Sequence, residues 1–90
     1  MERLTINNDI GFSVPDSRLN EAIQRLAAFE DVYDELAVSM VAIPGDLAKL
    51  RAEGKEKTVR YKELFGQKML NNHIIALFER HGIMFSQTKE

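Results

Sequence analysis

His73 and His81 are the only imidazoles in this chain of 90 residues, and it has no cysteine. Nucleophilic catalysis needs a base aligned with a nucleophile. Both histidines fall in one stretch read as the final helix, eight positions apart, with no serine in a Gly-x-Ser-x-Gly elbow. His73 reads as a polar-face residue. His81 reads as a helix C-terminal cation, favoured there by the helix dipole. The absence of cysteine excludes a disulfide scaffold, thiolate-bound zinc and a thiol nucleophile. Metal binding would need histidine and carboxylate at ligand spacing, and neither His-Glu-x-x-His nor Glu-x-x-His occurs. Gly54-Lys55 lacks the rest of a phosphate loop, since Lys49 stands where its first glycine belongs and Glu56 where its Ser/Thr belongs. The chain is therefore expected to be non-enzymatic, with no metal and no cofactor.

Two charged clusters remain. Glu30, Asp31, Asp34 and Glu35 form an acidic knot in which the pairs 30/34 and 31/35 repel by about 0.2–0.5 kcal/mol each on a helix. Lys49, Arg51, Lys55, Lys57, Arg60, Lys62 and Lys68 form a basic run with Tyr61 and Phe65 interleaved. The net charge of −2 hides this asymmetry, for residues 1–46 carry −6 and residues 47–90 carry +4. The basic run could grip a phosphate backbone through Lys55, Lys57, Arg60, Lys62 and Lys68. A helix-turn-helix centred on Gly66 fits poorly, because Lys62 and Asn72 would occupy apolar positions.

The elements that position these groups are mainly helical. The 44% hydrophobic and 29% charged composition is that of an ordinary globular protein, and one domain is expected over 1–90. Leu4-Thr5-Ile6 and Phe12-Ser13-Val14 alternate around Asn7, Asn8, Asp9 and Gly11, which predicts an extended arm or short β-hairpin over 1–14. Pro15 opens a first helix over 16–42, with Asp16 or Ser17 as its cap. Leu19, Ile23, Leu26, Phe29, Tyr33, Leu36 and Met40 form its apolar face. Pro44 stops it, and Pro44-Gly45-Asp46 is read as a turn. Asp46 caps a second helix over 46–68, broken or tolerated at Gly54. Residues 58–64 fit either strand or helix, with helix favoured. Asn71 or Asn72 caps a third helix over 72–81, which Gly82-Ile83 closes as a glycine C-cap.

Folding the two long helices about Gly45 makes neighbours of positions whose numbers sum to about 90. Glu30 then meets Arg60 and Glu35 meets Lys55. Phe29 meets Tyr61, Leu26 meets Leu64 and Met40 meets Leu50. This pairing is favoured over nucleic-acid binding and would leave duplex DNA binding weak at physiological salt. It also leaves Val38, Val41, Ile43, Ile75, Phe78, Met84 and Phe85 as an apolar surplus. A homo-oligomer, with a dimer favoured, is expected to cover them.

Two segments resemble a known group. Met1-Glu2-Arg3-Leu4-Thr5, together with Ala22-Ile23-Gln24-Arg25-Leu26-Ala27-Ala28-Phe29-Glu30-Asp31, resembles small proteins of phages and integrative elements of Gram-positive bacteria. Those often open Met-Glu-Arg-Leu-Thr and later read Leu-Ala-x-Tyr-Glu-Asp; Phe29 stands here in place of the tyrosine. The stretch from Gly54 to Leu64, continuing to Gly82-Ile83, is similar to the end of other such proteins. The resemblance implies an intracellular accessory protein and carries no catalytic residue. No apolar segment of signal-peptide or membrane-spanning length occurs, so a cytoplasmic location without membrane contact is expected. The first expectation is thus an accessory protein acting through self-association and contact with an unidentified protein partner. The alternative is a small nucleic-acid-binding protein using the basic segment 49–68.

Overall fold

The computed structural model describes residues 1–85. Two antiparallel strands, β1 (Ile6–Asn8) and β2 (Gly11–Ser13), form the expected hairpin, in register Ile6↔Ser13, Asn7↔Phe12 and Asn8↔Gly11. Asp9 and Ile10 make its two-residue turn, where the Ile10 amide donates to the Asn8 side-chain carbonyl at 3.2 Å. Pro15 then leads into a single 3-10 turn, Asp16–Arg18, with no side-chain cap, so neither Asp16 nor Ser17 takes the capping role expected of it. Two long helices follow, α1 (Leu19–Ala52, 34 residues) and α2 (Val59–Arg80, 22 residues). The protein is mainly α. Among the described residues no helix is long and apolar enough to cross a membrane.

Three boundaries differ from the sequence expectation. α1 does not stop before Pro44 but carries it as an interior residue and continues through Asp46 to Ala52. A proline in a helix interior costs about 3 kcal/mol, through a lost hydrogen bond and a clash with the carbonyl four residues back. Ile43 and Leu47 lie on either side of Pro44 and are both buried, at 7% and 2% exposure, in one cluster with Leu64. Burying side chains of that size is worth about 1.5–3 kcal/mol each, enough to hold the helix together across the proline. Pro44 itself is exposed.

The second difference is the position of the turn, which falls at residues 53–58 rather than at Gly45. Gly54, at φ 72°, donates to the Arg51 carbonyl at 3.0 Å, and Lys55 donates to the Leu50 carbonyl at 2.9 Å. This bond pair satisfies carbonyls of the last turn and needs a left-handed residue, which glycine supplies without a side-chain clash. Thr58 then caps α2: its hydroxyl accepts from the Tyr61 amide at 3.2 Å and donates to the Lys55 carbonyl at 2.7 Å. Residues 59–64 are therefore helix. The third difference is at the C-terminal end, where α2 runs unbroken to Arg80 and no separate third helix forms. Neither Asn71 nor Asn72 is a cap. Gly82, at φ 86°, repeats the stop seen at Gly54, with Gly82 donating to Glu79 and Ile83 to Phe78, both at 3.0 Å.

Two compact units divide the chain between Tyr33 and Asp34, within α1. The first holds the β-hairpin and the start of α1. The second holds the rest of α1 packed antiparallel against α2. Its seam uses Leu36, Met40, Ile43, Leu47 and Leu50 of α1 and Tyr61, Leu64, Lys68, Asn71, Ile75 and Phe78 of α2, all buried or half-buried. Both rows alternate spacings of three and four, the pattern that keeps one stripe of each helix facing its neighbour. Leu50 and Tyr61 pack against the Ile43–Leu47–Leu64 cluster.

Two substitutions test this account of α1. Leu47→Ala is expected to destabilise the protein by about 2–5 kcal/mol. Pro44→Ala is expected to stabilise it by about 1–3 kcal/mol, part of the helix gain being returned by the freer unfolded chain. Urea denaturation followed by circular dichroism measures both. A Pro44→Ala protein less stable than the parent would show that the proline is needed where it stands.

Candidate functional site

The register of the hairpin decides where the charges go. Asn71 bonds Ser39, Leu64 packs on Leu47, and Arg51 bonds Tyr61, so paired positions sum to 110–112 rather than about 90. Met40 and Leu50, expected as partners, both lie on α1. Glu35 cannot meet Lys55, because Lys55 lies in the connection at the other end of the hairpin. The register likewise replaces the partners expected for Tyr61 and Leu64, which pack with Leu47 and its neighbours rather than with Phe29 and Leu26. Among the described residues the ion pairs are Arg18–Glu2, Arg18–Glu21, Arg25–Glu21 and Lys55–Glu53. None involves Glu30, Asp31, Asp34 or Glu35.

The basic run therefore gathers at the tip of the hairpin. Lys49 and Arg51 end α1, Lys55 and Lys57 lie in the connection, and Arg60 and Lys62 open α2, all exposed. Lys55 is paired with Glu53 at 3.1 Å. Arg51 donates to the Tyr61 hydroxyl at 2.8 Å and lies 5.9 Å from the centre of that ring, whose other neighbour is Phe65. Lys68 is separate from the tip. It is half-buried two turns further along α2 and lines a small depression with Ser39, Met40, Pro44 and Asn71. Gly66, where a helix-turn-helix fitted the sequence poorly, sits inside α2 and makes no turn.

Of the expected self-association residues, Val38, Val41 and Met84 are exposed, with Val41 at 76%. Ile43 is in the hairpin core, and Phe85 is buried, at 8% exposure, with its ring 5.7 Å from that of Phe78. Ile75 and Phe78 are half-buried. The larger exposed row lies elsewhere, in the first unit. Leu19, Ile23, Leu26 and Phe29 are each about half exposed along the first three turns of α1. Sequence reasoning identified this stripe but assigned it to an intramolecular partner.

In the first unit Leu4 is buried, and the segment Met1–Thr5 lies along α1. Arg18 binds the carboxylates of both Glu2 and Glu21, and Arg25 binds Glu21 and the Glu2 carbonyl. The hydrogen bonds that Arg18 donates to the Glu21 carboxylate, with Glu2 beside them, hold its guanidinium above its ordinary pKa. Leu4, Ala22, Leu26 and Phe29 line an open depression of about 440 Å³ here, along with Arg3 and Arg25. It holds neither a histidine nor a carboxylate. His73 and His81 are both exposed on or after α2, and His81 is its C-terminal cap residue. Among the described residues no group of three or more His, Asp or Glu side chains is placed to hold a metal ion.

The one buried polar residue among those described is Asn71, 4% exposed in the middle of α2. Its amide nitrogen donates to the Ser39 hydroxyl at 2.8 Å, and its carbonyl accepts from Gln67 at 2.9 Å. A buried polar residue in a mostly apolar seam specifies register, because a shift leaves it unbonded. Asn71→Ala and Ser39→Ala are each expected to cost about 1–3 kcal/mol, and the double variant less than their sum. A thermodynamic cycle from chemical denaturation measures the coupling; strict additivity would mean that the two side chains do not hold each other.

In comparison with known proteins, the chain matches no family model, no curated protein and no solved structure, so a functional reading draws on its own residues.

Proposed function

We propose that this protein is a non-enzymatic helical-hairpin module that works through protein–protein contact, first of all with a second copy of itself. The observation that carries the reading is the half-exposed row Leu19, Ile23, Leu26 and Phe29. It continues, at the same spacings of three and four, the stripe that is buried at Leu36, Ile43 and Leu47. The row is thus built for a helical partner.

A two-fold antiparallel arrangement suits it, because one patch then serves both copies. With Leu26 near the axis, Ile23 of one copy meets Phe29 of the other. In this register Arg18 comes level with Asp34 of the second copy and Glu21 level with Asp31. Since Arg18 and Arg25 are already paired with Glu2 or Glu21, the contact rests on the apolar row and not on charge. Covering the remaining exposed half of each large side chain is worth about 1 kcal/mol, or about 8 kcal/mol for both copies. Joining two chains costs about 4–15 kcal/mol. The gain from the row is of the same size as that cost, so the association is weak and concentration-dependent. By its resemblance to small phage and integrative-element proteins, the module would serve as an accessory factor in the cytoplasm of a bacterial cell.

Light scattering coupled to gel filtration over a range of concentrations tests this. The expected mass rises with concentration toward twice the 10.3 kDa of one chain. Leu26→Asp should return it to the single-chain value, and Val41→Asp, about four turns further along α1 and outside the row, should not. A parent protein that elutes as a single chain, or a dimer broken by Val41→Asp and not by Leu26→Asp, would overturn the proposal.

A further inference from the structure

We propose that the tip of the hairpin is a binding site for the phosphate backbone of a nucleic acid, contacted without preference for sequence. Between positions 49 and 62 the chain carries six cations, Lys49, Arg51, Lys55, Lys57, Arg60 and Lys62, and two carboxylates, Glu53 and Glu56. Glu53 is already paired with Lys55. The register sum of about 111 places Lys49 level with Lys62 and Arg51 level with Arg60, so cations on α1 stand beside cations on α2. The expectation of weak DNA binding drew on the overall net charge of −2 and on neutralisation of the basic run by the acidic knot of α1; the register removes the second of these. Lys57, Arg60 and Lys62 have no carboxylate partner among the described residues. Such a cluster repels itself, and a polyanion relieves that repulsion while releasing its own condensed counterions.

The chemistry of the tip favours nucleic acid over an acidic peptide. A peptide needs apolar anchor points, and Leu50 and Tyr61 are committed to the hairpin core. Val59 is the one large apolar side chain exposed between 49 and 62. The shallow depression beside Leu50 presents Asp46 and Glu53 along with Lys49 and Arg60, which disfavours an incoming carboxylate. Tyr61 is held by Arg51 and Phe65 and offers no free face for a base. What remains is a set of long cationic side chains reaching outward, and these read phosphate and not sequence.

The test is fluorescence anisotropy with a labelled mixed-sequence duplex, titrated over a range of salt. With a net tip charge of about +4, log K should fall with log salt at a slope on the order of −3 to −4 per chain, about a hundredfold loss from 50 to 200 mM. Lys57→Glu combined with Arg60→Glu should weaken binding at low salt more than tenfold. Arg80→Glu, at the far end of α2, should change it little. Circular dichroism verifies that helix content is kept. Lys57→Glu alone, in the connection between helices, supplies the same reading should the double variant lose structure. The proposal is overturned if the parent does not bind at low salt, if Arg80→Glu weakens binding as much as the tip variants, or if polyglutamate displaces the duplex at equal charge concentration.

Discussion

Leu47 is the most deeply buried of the core side chains, and its contact with Ile43 and Leu64 is the interaction on which the second unit depends. It lies one turn beyond Pro44. Were α1 to end where the proline invites it to end, Leu47 would leave the seam, and α2 would lose the residue against which Leu64 packs. Keeping α1 whole across the proline moves the turn from Gly45 to Gly54. That shift of the turn resets every pair across the hairpin. The cations collect at one end because of it, and among the described residues the acidic knot has no ion-pair partner.

The parts of this fold legible in the sequence are those fixed by local chemistry. The β-hairpin follows from alternating residues around Asn8 and Asp9. The stop at Gly82 follows from a glycine that alone tolerates a left-handed backbone, with Ile83 behind it. The apolar stripe from Leu19 to Met40 follows from its period. The parts that were not legible are those where a strong local signal met a tertiary demand. Pro44-Gly45-Asp46 has every mark of a turn, and two buried side chains override it. Asn71 resembles a helix cap, yet its partner is a serine 32 positions earlier, which no local pattern reveals.

For the candidate sites the same distinction holds. Sequence reading found both the basic run and the apolar surplus, since composition alone shows them. It could not say which charges were neutralised or which apolar groups were covered, because both answers depend on the register. Ile43 and Phe85 read as outward residues and are buried, while Leu26 and Phe29 read as inward and are half exposed. An alternative signal was present in α2, where Tyr61, Leu64, Lys68, Asn71, Ile75 and Phe78 keep strict spacings of three and four. Given priority over the proline, that row would have placed the turn near Gly54.

The shortness of the connection between α1 and α2 also bears on how the chain folds. Six residues separate the helices, so the contacts nearest the turn join parts of the chain close in sequence, and little chain entropy is lost in bringing them together. Helical hairpins closed by such local contacts form on the microsecond to millisecond scale. A hairpin that closes from this turn would bring Leu47 and Leu64 together before Ser39 reaches Asn71. A misaligned hairpin would fail at that later step, before the full length of α2 is committed.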